Sequence, residues 1–174
     1  MRQFTYLLIL GFVLVFIAFQ ARTGIFRRAN PGEPANKYMR EMMDSPQLSE
    51  VDAAIMIQKY PTARQNPSGL RYIVREPGEG NPAPLGAKLT VHYHGTLLST
   101  GVKFDSSIER GRPLTFELGV GEVIKGWDEA FASMRRGEKR TLIVPYWLAY
   151  GQGGRGQIPP RATLVFDVEL IDFQ

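Results

Sequence analysis

The side chains able to do chemistry are few, and most are in the wrong company. His92 and His94 sit at i, i+2, a spacing that puts both on one face of a strand and could chelate a metal. No third ligand follows at a recognisable interval, so they read as exposed strand histidines. Ser106-Ser107 has no evident histidine base, and Asp105 and Glu109 do not form an identifiable acid–base pair. Gly151-Gln152-Gly153-Gly154-Arg155-Gly156 is glycine-rich, but Pro159-Pro160 stands where a phosphate loop would open its helix. That run reads as a flap. With no cysteine, thiolate nucleophiles, disulfides and zinc–thiolate sites are excluded. An enzyme built from these residues would work by shape and desolvation, not by proton transfer or covalent chemistry.

The stretch that offers shape is Arg110–Trp127, RGRPLTFELGVGEVIKGW. Leu114, Phe116 and Leu118 alternate with Thr115 and Glu117, which predicts a half-buried strand over Arg110–Leu118. Gly119 and Gly121 then break it. Val123, Ile124 and Gly126 lead to Trp127 at the head of a helical pattern. Strand, turn and helix start would gather large apolar groups around one point, giving an apolar hole floored by an indole. A plain core tryptophan under a loop is the competing reading.

The elements that would position this point follow from periodicity. Strands are expected over Leu70–Val74, Lys88–Leu98, Val102–Ser107, Arg140–Val144 and Leu164–Asp172. One helix, Trp127–Arg136, is expected in this region, with Trp127, Ala130, Phe131 and Met134 on one face and Gly137 closing it. Several strands around one amphipathic helix make an α+β domain: a twisted, mainly antiparallel sheet wrapped around one short helix.

Three regions divide the 174 residues. Residues 1–22 contain an uncharged apolar run, Phe4–Phe19. Sixteen helical residues would span about 24 Å, short of a bilayer core of about 30 Å. Bulky Phe19 spoils a cleavage site after Ala21, so the run is read as an uncleaved signal anchor or transmembrane segment. Its shape favours an extracytoplasmic domain, while Arg22, Arg27 and Arg28 after the run favour the cytoplasmic face. Residues 23–67 form a linker with short helices. One helix is expected over Tyr38–Met43, and another over Ser49–Tyr60 with Ser49 capping and Val51, Ala54, Ile55 and Gln58 on one face. Thr62–Ser68 reads as a polar loop. Residues 68–174 form the domain. Of the net charge of +4, residues 1–69 carry +3 and residues 70–174 only +1, which argues against a nucleic-acid partner for the domain.

Five segments of the domain carry a resemblance: SGLRY (68–72), VHYHGTL (91–97), FDSS (104–107), LGVGEVIKGWDEAF (118–131) and AYGQGGRGQIPPRATLVFDVEL (149–170). In this order and spacing they resemble FKBP-type peptidyl-prolyl cis-trans isomerases, and with the N-terminal segment a bacterial member. The resemblance implies an isomerase of X–Pro bonds acting in protein folding, with proline-containing polypeptide clients, macrolide-type ligands and no cofactor or metal. It implies catalytic roles for Tyr93, Asp105, Trp127, Tyr150 and Phe166. Phe104, Val123, Ile124 and Ile158 would bind substrate, and Leu114 would stand where many relatives have an aromatic wall. A non-catalytic proline-binding or chaperone module on the same fold is the alternative.

Overall fold

The computed structural model describes residues 46–174. The apolar run at 1–22 and the helix expected over Tyr38–Met43 lie outside these residues. No helix among the described residues is long and apolar enough to cross a membrane.

One strand, β3 (Lys88–Leu97), organises the sheet. It alternates buried and half-exposed residues along its length, with Leu89, Val91, Tyr93 and Leu97 turned to the core. That alternation follows from the two-residue period of a strand. β3 pairs antiparallel along one edge with β7 (Leu164–Phe173). Along its other edge it pairs with β4 (Lys103–Ser106) near its end and with β5 (Leu114–Glu117) near its start. β6 (Lys139–Val144) joins β7, β2 (Arg71–Glu76) joins β6, and the two-residue β1 (Arg64–Gln65) joins β2. The main path is β1-β2-β6-β7-β3-β4, with β5 pairing β3 off that path. All the pairings are antiparallel, as expected.

Against the concave face lies α2 (Lys125–Phe131). It is shorter than the expected Trp127–Arg136: it starts two residues earlier and ends at Phe131. The reason lies in Arg140, whose buried guanidinium bonds the carbonyls of Ala130 at 3.4 Å and Ser133 at 2.9 Å. Those helix-end acceptors are therefore drawn into a tight turn instead of continuing the helix. The expected face holds, because Trp127, Ala130, Phe131 and Met134 are all buried. Gly126 lets α2 approach the sheet, since a Cβ there would lie 2.5 Å from Cγ1 of Val144. The strand expected over Arg110–Leu118 is also shorter, because residues 110–113 form a turn before β5.

The opposite face of the sheet has its own smaller cluster. Ile143 and Val165 point away from Leu142, Val144, Leu164 and Phe166, and with Leu98 they bury Met56 of α1 (Glu50–Lys59). Ser49 caps α1, its Oγ accepting the Asp52 N–H at 3.1 Å. The inward face of α1 is Asp52 and Met56, however, not Val51, Ala54, Ile55 and Gln58. Val51 is 61% exposed, and of the expected set only Ile55 is part of the cluster. Helical period alone left several rotations open, and the register of Ile143 and Val165 selects one. The loop expected over Thr62–Ser68 contains β1.

Candidate active site

The space between α2 and the sheet is a cavity of about 520 Å³. β3 brings Tyr93, β4 brings Phe104 and Asp105, β5 brings Leu114, and β7 brings Phe166. The turn into α2 supplies Val123 and Ile124, α2 supplies Trp127, and the chain after the 3-10 turn Tyr146–Leu148 supplies Tyr150. Nine of the ten residues expected here line one cavity. Ile158 does not: it is 9% exposed and belongs to the core cluster.

Trp127 is 4% exposed and lies among rings on several sides. Tyr93 meets it edge-on with centroids 5.0 Å apart, and Phe166 does so at 5.1 Å. Phe116 and Phe131 back it at 6.0 and 5.5 Å. Phe104 packs edge-on to Phe166 at 5.6 Å. Edge-to-face rings fix one another's orientation, so the indole is held and cannot swing with a ligand. Its Nε1–H is buried and makes no hydrogen bond within the described residues.

The polar rim is small. Asp105 is engaged at both oxygens: Tyr93 Oη–H and Arg110 donate to it, as does the Ser106 N–H at 2.8 Å. Arg110 also donates to Tyr93 Oη at 2.8 Å, and its guanidinium lies 5.4 Å from the Tyr93 ring centroid. Burial pushes the Tyr93 phenol above its ordinary value; the bond to Asp105 adds to this and Arg110 opposes it. The other two lining carboxylates serve the backbone, Glu122 accepting the Glu117 N–H and Asp128 the Gly119 N–H, each at 2.9 Å. Tyr150 Oη makes no hydrogen bond within the described residues, and Arg155 lies 5.8 Å from its ring centroid. Such a site can hold an apolar ring and offer a donor at its edge. No carboxylate in it is free of donors.

Two expectations about the remaining polar residues change. His92 and His94 are half-buried, not exposed. His92 also brings Nδ1 to 2.9 Å from Ser107 Oγ, so a histidine does stand beside the serine pair. Ser107 is nonetheless fully buried, with its hydroxyl accepting the Tyr93 N–H at 2.8 Å, which makes the pair a brace for β3 and β4. Among the described residues no group of three or more His, Asp or Glu is placed to hold a metal.

Arg110 was missed in the sequence, as was the Glu138–Arg140 pair behind α2. Arg110 meets Tyr93 and Asp105 only because residues 107–112 turn tightly after β4, and strand periodicity carries no sign of that turn. The one available signal was the turn composition around Gly111 and Pro113.

A family model described as FKBP-type peptidyl-prolyl cis-trans isomerase matches residues 80–171, more than half of the chain. The "Peptidyl-prolyl cis-trans isomerase FPR2" of Saccharomyces cerevisiae is 61% identical over 88 residues, which cover 50% of this chain and 65% of that protein. An "FK506-binding protein" of Neisseria meningitidis serogroup A is 55% identical over 95 residues, covering 54% of this chain and 86% of the relative. "FK506-binding protein 1" of Dictyostelium discoideum is 50% identical over 107 residues, covering 61% and 99%. Among solved structures, "Crystal structure of AtFKBP13" superposes with a TM-score of 0.62 at 44% identity, covering 64% of this chain and 98% of that one. The antiparallel sheet on one short helix, the matched model and these relatives together mean that the chain belongs to the FKBP-type peptidyl-prolyl cis-trans isomerases.

Proposed function

We propose that this chain accelerates X–Pro rotation in polypeptide clients by holding the proline ring on Trp127 in an apolar, ring-walled pocket. The observation that carries the reading is the aromatic cage itself: four rings, Tyr93, Phe166, Phe131 and Phe116, fix the indole within about 6 Å, below a cavity of about 520 Å³.

Rotating the imide breaks amide resonance against a barrier of about 18–20 kcal/mol. No covalent bond is broken and no proton needs to move. The twisted imide has a less polarised carbonyl than the planar one, so an apolar site that excludes water favours it over the ground state. Tyr150 Oη, which has no hydrogen-bond partner among the described residues, donates to the substrate backbone. Asp105 stays tied to Tyr93 and Arg110 and keeps the Tyr93 edge in place against the ring. Val123, Ile124, Phe104 and Leu114 form the remaining walls, and Leu114 makes its wall aliphatic where an aromatic would add ring contacts. Macrolide-type ligands would occupy the same cavity, with Leu114 lowering their affinity.

An uncleaved anchor over Phe4–Phe19 would hold the enzyme at a membrane with its domain outside the cytoplasm, the placement opposed by the arginines that follow the run. A reporter fused after Gln174, active only in an exported compartment, tests that placement; activity only in the cytoplasm would reverse it. Exchange spectroscopy on a Leu-Pro peptide tests the activity. Cross-peaks between cis and trans forms at catalytic enzyme concentration are expected, and their absence with a peptide that binds would leave a binding module.

A further inference from the structure

Residues 66–69 lie ahead of the family-matched segment, yet they bond to two of the elements that position pocket residues, α2 and the 3-10 turn before Tyr150. On one side, Asn66 Nδ2 and Ser68 Oγ donate to the same oxygen of Glu129, at 2.6 and 2.8 Å. Glu129 is in α2, two residues beyond Trp127. On the other side, Trp147 Nε1 donates to the Ser68 carbonyl at 2.8 Å. Trp147 belongs to the 3-10 turn that ends two residues before Tyr150.

The segment is built for this contact. Asn66 N–H bonds the Leu70 carbonyl at 2.8 Å, and Gly69 N–H bonds the Asn66 carbonyl at 3.0 Å, which closes a tight loop. Gly69 has φ +95°, and a Cβ there would stand 2.7 Å from the Trp147 ring, so the backbone lies directly against the indole. Leu70 anchors the loop in the core at 0% exposure. The Trp147 ring is fixed on another side by Tyr146, edge-on at 5.1 Å. The Tyr146 carbonyl in turn accepts the N–H groups of Ala149 and Gly151, on either side of Tyr150, at 3.1 and 2.8 Å.

We infer that the Asn66–Gly69 loop is a latch that sets the floor helix and the Tyr150 rim against each other, and that Trp147 and Glu129 are positioning residues for the isomerase reaction. Trp147 acts through Tyr150, and Glu129 acts through the seat of α2 beneath Trp127. The inference rests on the reading of Tyr150 and Trp127 as substrate contacts.

The test is a double-mutant cycle on the full chain, read as kcat/KM by exchange spectroscopy on a Leu-Pro peptide. Trp147→Phe keeps a ring against Gly69 and Tyr146 but has no N–H. It should lower kcat/KM by about three- to tenfold, the range of one neutral hydrogen bond, while the protein still melts cooperatively. Tyr150→Phe should lower it at least as much, and the double variant should be no worse than Tyr150→Phe alone. Glu129→Ala should be impaired, while Glu129→Gln, which keeps an acceptor oxygen, should be restored. If Tyr150→Phe is impaired while Trp147→Phe matches wild type, or if the two losses multiply, the latch is overturned and the pocket reading stands. If Tyr150→Phe itself matches wild type, the role of Tyr150 fails and the inference falls with it.

Discussion

Two arginine–carboxylate pairs flank α2 and use the same chemistry for different ends. Arg110–Asp105 sits at the pocket mouth with side chains 37% and 42% exposed, while Arg140–Glu138 lies behind the helix at 7% and 6%. Water screens the first pair, so it contributes little to stability and mainly sets where Tyr93 and Asp105 point. The second pair is desolvated, and both its members are bonded further. Glu138 accepts the Arg135 N–H at 2.9 Å, and Arg140 reaches Ser133 Oγ at 2.8 Å and stacks 4.8 Å from the Tyr72 centroid. Burial therefore decides which pair shapes the site and which holds the scaffold.

The largest expected effect breaks the buried pair. Arg140→Met leaves the Glu138 carboxylate buried without its cation and should destabilise the domain by about 3–5 kcal/mol, seen as a clear fall in Tm. Adding Glu138→Leu removes the orphan charge and should recover much of that loss. The remainder reports the lost bonds to the Ala130 and Ser133 carbonyls. Full recovery would mean that Arg140 does not cap α2. Arg110→Met should change stability by about 1 kcal/mol or less while lowering kcat/KM. A stability loss as large as that of Arg140→Met would erase the contrast.

The two faces of the sheet offer a second comparison. The concave face carries the pocket; the other is covered by α1 through Met56. Removing residues 1–67 should leave 68–174 cooperative, with a lower midpoint than the full chain, because exposing a side chain such as Met56's partners loses about 1.5–3 kcal/mol. A non-cooperative melt would make α1 part of the folding unit.

The smallest effect concerns pH. Burial raises the Tyr93 phenol, so the folded chain keeps that proton when the unfolded chain has begun to lose it, near about pH 10. Stability from this group is present below that pH and lost as pH rises through the folded value. Tyr93→Phe should flatten the alkaline part of the stability profile and, through the lost bonds to Asp105 and Arg110, lower the neutral part by a pH-independent amount.

Much of the concave face was legible because β3 and β7 obey a strict two-residue period, and because Trp127, Ala130, Phe131 and Met134 obey the helical one. Those periods place Tyr93, Phe166 and Trp127; the full set of ten pocket residues came from the family resemblance, and nine of them line the one cavity. What escaped depends on partners distant in sequence. Arg140 ends α2 from the neighbouring strand, Arg110 returns over Tyr93, His92 meets Ser107, and the sheet chooses which face of α1 turns inward. Ile158 came from the same resemblance and is buried in the core cluster without lining the cavity.

The central claim is that shape and desolvation at Trp127, not proton transfer at Asp105, carry the reaction. The direct measurement is kcat/KM of Trp127→Ala, Trp127→Phe and Asp105→Ala, each shown by its melt to be folded, from pH 6 to 9. Trp127→Ala should lose about 100-fold or more, a deficit of about 3 kcal/mol in transition-state binding, and Trp127→Phe should keep much of the activity. Asp105→Ala should lose about tenfold or less, with a flat pH profile in every variant. An inactive Asp105→Ala beside a near-wild-type Trp127→Ala, with a profile following a carboxylate, would contradict the account.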